Sequence, residues 1–186
     1  RYKAFKWDKE EGLIGIEDCD PIRLQDLVGY ENQKETLIKN TKSFLEGKAS
    51  NNVLLFGDRG TGKSSSVKAL LNEYHEEGLR IIELYKSDFV YFNKILKLIR
   101  NRGLKFILFL DDLSFEEFEI EYKYMKAVIE GGVEVKSNNI LIYATSNRRH
   151  LIRETWGDRT GEDIHIKDTR EEKLSLSDRF GLTLTY

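Results

Sequence analysis

Apolar and polar positions along this chain follow two periods in turn, and that alternation predicts an architecture. Short apolar runs stand at Asn52-Val53-Leu54-Leu55-Phe56, Leu79 to Leu84, Phe106-Ile107-Leu108-Phe109-Leu110, Ile140-Leu141-Ile142-Tyr143-Ala144 and Leu182-Thr183-Leu184-Thr185. Each has strand length. The third is continuously apolar, as expected of a strand buried on both faces of a parallel sheet. Between the runs the spacing turns helical. Leu37, Thr41, Phe44 and Leu45 share one face, and Val67, Leu70, Leu71 and Tyr74 share another within Ser65 to His75. Phe89, Phe92, Leu96 and Ile99 follow, capped by Ser87 or Asp88, and then Phe118, Tyr122, Met125 and Ile129 between Glu116 and Glu130. Gly47, Gly78, Asn101-Arg102-Gly103 and Gly131-Gly132 supply the stops. Five strands alternating with helices require a mostly parallel sheet covered on both sides, because each right-handed crossover must lie over a sheet face. The predicted fold class is therefore α/β, with three αβα layers.

Two segments fall outside the pattern. Residues 1–20 read as an N-terminal arm, with Tyr2, Phe5 and Trp7 among lysines and Pro21 marking its end; residues 21–186 form the core domain. The arm's aromatics are expected to pack against protein rather than stack on bases. Between Glu154 and Lys173, eleven of twenty residues are charged, which leaves too little apolar surface for a core and predicts a surface excursion. Composition narrows the class further. A chain of 186 residues, 40% hydrophobic, suffices for one packed domain. Thirty basic against thirty-two acidic residues give a net charge of -2, so no global field favours nucleic acid or an anionic membrane. No apolar run approaches the roughly 20 residues of a membrane helix. Cys19 is the single cysteine and excludes an intrachain disulfide, so a reducing, cytoplasmic setting is expected; no secretory signal is visible in the given sequence.

The chemistry centres on Gly57-Asp58-Arg59-Gly60-Thr61-Gly62-Lys63-Ser64, which matches G-x-x-x-x-G-K-[ST] between a predicted strand and a predicted helix. Glycines in such a loop let successive backbone N–H groups turn toward a polyphosphate, and the helix that begins at Lys63 to Ser65 adds its positive end. Lys63 reaches the outer phosphates, and the Ser64 hydroxyl ligates Mg²⁺. In an open α/β sheet, residues ending other strands converge on the same crevice. Asp111, after the third apolar run, is the second candidate Mg²⁺ ligand. Asp112 is a candidate base for an attacking water, with Glu116 or Glu117 as substitutes and a helix N-cap as its structural alternative. Asn147, at the end of the fourth run, can hydrogen-bond a terminal phosphate or a water, or serve as a turn residue. Arg179, within Ser177-Asp178-Arg179-Phe180-Gly181, is either a surface ion-pair partner or a finger for a neighbouring subunit's nucleotide, worth about 10³ to 10⁵ in rate in other systems.

These residues together resemble the AAA+ ATPases. The resemblance begins at Leu24-Gln25-Asp26-Leu27-Val28-Gly29 and runs through Walker A at Gly57 to Ser64 and Walker B at Phe106 to Asp112. It continues to a sensor asparagine at Asn147 and an arginine-finger box at Leu176 to Gly181. The wording at Asp111 to Glu116 and Ser177 to Gly181 is similar to that of a poorly characterised bacterial AAA+ group, related in turn to replication initiators and helicase loaders. The resemblance implies a P-loop NTPase core with a five-stranded parallel sheet in order 5-1-4-3-2. It also implies adenine held near Val28 and Gly29, and homo-oligomeric rings or arcs with nucleotide at subunit boundaries. Two departures stand out: Asp112 occupies a position usually held by glutamate, and the helical lid that usually follows the last strand is absent. The chain, which opens at Arg1, is accordingly expected to be a core cut from a longer protein.

The expected function is Mg²⁺-dependent ATP hydrolysis that drives remodelling or loading of a macromolecular partner, a protein client being one option, with nucleic acid not expected on this domain alone and no membrane. ATP is preferred to GTP because the only Asn-Lys pair, Asn93-Lys94, lacks the aspartate two residues on that guanine recognition uses. The alternative is a nucleotide-gated binding module with negligible hydrolysis, which the shorter Asp112 favours and Asn147 and Arg179 oppose. A small-molecule kinase would need an acceptor site, and no residues identify one.

Overall fold

The computed structural model of the protein describes residues 1–114, 124–126, 137–147 and 180–186. All statements below concern these residues. Ten elements carry the architecture: β1 (Ala4–Asp8), β2 (Gly12–Ile16), α1 (Glu31–Leu45), β3 (Val53–Gly57), α2 (Lys63–Tyr74), β4 (Leu79–Glu83), α3 (Phe92–Ile99), β5 (Lys105–Leu110), β6 (Ile140–Asn147) and β7 (Leu182–Thr185). The strands form one sheet in the order β2-β1-β4-β5-β6-β3-β7. Every neighbouring pair is parallel except β1 with β2.

The sheet corrects one expectation. It has seven strands, not five. The expected strands occupy the contiguous stretch β4-β5-β6-β3-β7, and the two additions come from residues 1–20. The arm forms an antiparallel hairpin whose first strand pairs in parallel with β4, Ala4 opposite Ile81 and Lys6 opposite Glu83. Gly12 to Ile16 is short and half-buried throughout, so its strand character becomes visible only once Trp7 is seen packed beside Tyr91, with Lys94 over its ring. Pairing satisfies backbone groups along β4 that an open edge would leave to solvent.

Side-chain alternation along the strands divides the core in two. Leu55, Ile107, Phe109, Leu141 and Tyr143 pack with Leu37 and Phe44 of α1 and with Val67, Leu70 and Tyr74 of α2. Leu54, Leu108, Leu110, Ile142 and Ala144 face the other way, against Phe92, Ile95, Leu96 and Ile99 of α3. The result is three layers, with α1 and α2 on one face and α3 on the other. Two boundaries differ from the expected ones. The helix before β5 is preceded by a 3₁₀ segment, Lys86–Tyr91, in which the Asp88 carboxylate turns back to accept from the Tyr85 N–H at 2.9 Å. The strand expected to end at Ala144 continues to Asn147, because Thr145, Ser146 and Asn147 pair with Leu55, Phe56 and Gly57. Of the helix expected at 116–130, only residues 124–126 are among those described.

Candidate functional site

The same alternation decides which strand ends meet. Thr145 and Asn147 are in phase with Leu141 and Tyr143, and Asp111 is in phase with Ile107 and Phe109, so all three belong to the α2 side of the sheet. The loop between β3 and α2 opens at that level, since Gly57 lies opposite Asn147. Its glycines serve backbone geometry. A Cβ on Gly57, where φ is +153°, would stand 2.2 Å from the Tyr186 carbonyl oxygen, while Gly60 and Gly62 hold φ of +82° and +90°.

Lys63 begins α2, and its side chain turns back into the loop. Its ammonium donates to the carbonyl oxygens of Gly57 at 3.0 Å and Asp58 at 2.6 Å, and to the Thr61 hydroxyl at 3.3 Å. Lys63 is buried, and none of these acceptors carries a full charge. Burial pushes its pKa below the ordinary lysine value, against the opposing pull of the Asp58, Asp111 and Asp112 carboxylates.

Across the cleft the two acids after β5 are tied to β6. The Asp111 Oδ1 oxygen accepts from the Ser64 hydroxyl and, at 2.7 Å, from Thr145 Oγ1. Asp112 has φ of +56°, a left-handed conformation unusual outside glycine. Its N–H donates to Thr145 Oγ1 at 2.8 Å, its Oδ1 accepts from Asn147 Nδ2 at 2.6 Å, and the next N–H, of Leu113, donates to the Thr145 carbonyl at 2.8 Å. The cleft has a volume of about 270 Å³ and is bounded by loop residues Arg59, Gly60 and Gly62 to Ser65, with Asp111, Asp112, Thr145 and Asn147 opposite.

The expected site residues thus divide into groups. Lys63, Ser64, Ser65, Asp111, Asp112 and Asn147 border one cleft, together with Arg59, Gly60 and Gly62. Gly57, Asp58 and Thr61 act behind it as the acceptors or backbone that hold Lys63. Val28 and Gly29 do not border the cleft; they precede Tyr30, whose ring lies 4.9 Å from that of Tyr186, and Val28 is 95% exposed. Arg179, like Glu116 and Glu117, lies outside the described residues. Thr145 was not anticipated as a site residue. It stands two residues before Asn147, a spacing that puts both on one strand face only because β6 runs on to Asn147.

A parallel α/β sheet with a lysine-bearing glycine loop after β3 and an acidic turn after β5 is the core of a P-loop NTPase, and its relatives are of the AAA+ kind. Within that class the chain belongs to the family described as "Protein of unknown function (DUF815)", whose profile matches residues 1–186. The replication factor C large subunit of Staphylothermus marinus is 41% identical over 70 residues, which is 37% of this chain and 16% of that protein. The ATP-dependent zinc metalloprotease FtsH of Aquifex aeolicus is 31% identical over 96 residues, 47% of this chain and 15% of that protein. Among solved structures, C. elegans PCH-2 superposes with a TM-score of 0.54 at 17% identity, covering 87% of this chain and 45% of that one. A mutant of Thermotoga maritima RuvB does so with a TM-score of 0.51 at 17% identity, covering 89% and 48%. At these identities the superpositions speak for the fold. The chain spans less than half the length of each of these proteins. No helix of the described residues is long and apolar enough to cross a membrane.

Proposed function

We propose that this chain binds ATP with Mg²⁺ and hydrolyses it, and that turnover drives the remodelling or loading of a macromolecular partner. The observation that carries this reading is the cleft itself, where Lys63, Ser64 and Asp111 from two separate strand ends border one space. A buried ammonium satisfied only by neutral acceptors is suited to a polyphosphate, which would supply the missing negative charge. The Ser64 hydroxyl and Asp111 carboxylate already touch and present oxygen donors alone, the chemistry a hard divalent cation prefers. Bound there, Mg²⁺ would neutralise phosphate charge.

The remaining roles are those that the resemblance to AAA+ cores implies. Asp112 takes the proton of the attacking water at its carboxylate, and Asn147, bonded to that carboxylate, holds it in orientation. Val28 and Gly29 border the base of the nucleotide, beside Tyr30. Arg179 acts in trans on the nucleotide of a neighbouring copy, in a ring or arc built by head-to-tail contacts. The similarity to proteins named as a replication factor and as an ATP-dependent protease supports a mechanical use of ATP, with a protein client favoured by the near-neutral charge.

One observation favours a second reading, a nucleotide-gated module that binds without appreciable turnover. Asp112 is a methylene shorter than glutamate and is held back by Asn147. Phosphate release over a protein concentration series, with sizing of the ATP-bound species, separates the two. Wild-type protein is expected to turn over ATP at a specific rate that rises with concentration, and Lys63→Ala to lose nucleotide affinity by about tenfold or more. Binding without turnover selects the gated module. Equal affinity and turnover in wild type and Lys63→Ala removes the site assignment.

A further inference from the structure

We infer that Thr145 is a positioning residue of this site: its hydroxyl sets the Asp111 carboxylate and the Asp112 backbone turn through one two-sided hydrogen bond. The inference rests on the proposed nucleotide reading and adds to it a component that neither loop nor acidic pair contains. Thr145 is 2% exposed, on β6, and pairs across the sheet with Leu55 of the strand that feeds the phosphate loop. It therefore sits between the two strand ends that carry the site.

The direction of each bond is determined. The Asp112 backbone N–H can only donate, so at 2.8 Å the Thr145 oxygen must accept. The single hydroxyl proton is then directed to Asp111 Oδ1 at 2.7 Å, because an ionised carboxylate only accepts. The rotor has no alternative setting that satisfies both neighbours. A buried hydroxyl locked in this way carries orientation between the groups it joins.

Two consequences follow for the acids. Asp111 Oδ1 has two donors, Ser64 and Thr145. Ser64 is the one whose oxygen is assigned to the metal, and Thr145 is the donor that stands off the metal, so its hold on the carboxylate rotamer does not move with the ion. Asp112 sits at φ +56°, a conformation that costs an aspartate about 1 kcal/mol or more and persists where its surroundings hold it. The Thr145 hydroxyl and carbonyl accept the N–H groups of Asp112 and Leu113 in succession and hold that turn. One residue thus aligns the metal-facing acid with the water-facing acid. A valine would occupy the same volume and keep only the backbone carbonyl bond to Leu113, losing both hydroxyl bonds.

The test compares Thr145→Val, which keeps shape and removes the hydroxyl, with Thr145→Ser, which keeps the hydroxyl, both in the full chain. Three quantities are read: amide hydrogen exchange at Asp112 without ligand, ADP affinity without metal, and the Mg²⁺ concentration that half-saturates the metal-dependent gain in ADP affinity. For Thr145→Val we expect exchange at Asp112 to rise about tenfold, metal-free ADP affinity to stay within about twofold, and the half-saturating Mg²⁺ concentration to rise about fivefold or more. Thr145→Ser is expected to match wild type in all three. Wild-type behaviour of Thr145→Val in exchange and metal response overturns the inference. So does equal impairment of the valine and serine variants, which would make the γ-methyl packing decisive, or loss of metal-free ADP affinity in step with the metal response. Should wild-type protein bind no ADP with or without Mg²⁺, the nucleotide reading fails by itself. The exchange comparison then still decides whether the hydroxyl holds the Asp112 turn.

Discussion

At the scale of single residues the site is a set of side chains held by groups that are not themselves acids or bases. Lys63 is anchored by backbone carbonyls, Asp111 by two hydroxyls, and Asp112 by an amide on one side and a threonine on the other. The left-handed backbone at Asp112 makes asparagine the informative substitution, because it tolerates that conformation while removing the charge. Asp112→Asn is expected to unfold within about 0.5 kcal/mol of wild type and to lower phosphate release at saturating ATP by about tenfold or more. Wild-type release would remove Asp112 as the base. The glycine loop, Lys63, Ser64 and Asp111 were legible as candidates because the phosphate and cation chemistry proposed for them restricts residue types at a short, nearly fixed spacing. Thr145 was not legible in the same way. A threonine near the end of a strand is common, and its two bonds to residues more than thirty positions away exist only after β5 and β6 pair.

Helix α1 is tied to the sheet by a polar contact inside an apolar layer. Asn40 Nδ2 donates to the Tyr143 phenol oxygen at 2.9 Å, and Thr41 Oγ1 shares a hydrogen bond with that oxygen at 2.9 Å. Asn40 also exchanges two bonds with the Asn51 backbone just before β3, which fixes α1 against the strand that feeds the phosphate loop. Burial pushes the Tyr143 phenol up to about 12, with the Thr41 and Asn40 bonds opposing the shift. The folded state therefore keeps a proton that an unfolded tyrosine releases near pH 10. The stability this provides is complete below pH 10 and falls as pH rises toward 12, a loss of about 3 kcal/mol from this group. Burial also raises Tyr74 and Tyr186, so other phenols add to the same alkaline fall. Tyr143→Phe is expected to cost about 1 to 2 kcal/mol at pH 7 and to make the alkaline decline shallower, measured by denaturant unfolding from pH 7 to 11. An equally steep decline in the variant would assign the loss to the remaining tyrosines. Apolar periodicity placed Thr41 on the buried face of this helix, but its partner on β6 belongs to tertiary contact alone.

For the molecule as a whole, the decisive addition is the hairpin of β1 and β2, which turns an open core into a seven-stranded sheet. Trp7 and Ala4 are buried on opposite faces, so the hairpin contributes to both halves of the core as well as to the β4 edge. Deletion of residues 1–16 would uncover Ile81 and Ile82 with their unpaired edge. The truncated chain is expected to lose at least about 3 kcal/mol of stability and to self-associate, as read by denaturant unfolding and light scattering. A monomer of unchanged stability would show the hairpin to be an appendage. The first added strand alternates over only Phe5-Lys6-Trp7-Asp8, too short a run to stand out in a charged arm, and the second does not alternate at all. Gly12-Leu13-Ile14-Gly15-Ile16 carries two glycines and is half-buried at every position, so no polar residues alternate with its apolar ones to mark a period of two.

What the sequence determined by itself was the candidate chemistry and the layer architecture. A polyphosphate loop needs particular residues at particular spacing, and strand and helix periods are properties of contiguous chain. What only the tertiary structure decided was which strand ends touch, how many strands the sheet holds, and that Thr145 joins Asp111 to Asp112. Those are relations between residues distant along the chain, created by the parallel pairing of β5, β6 and β3, and no local pattern encodes their register.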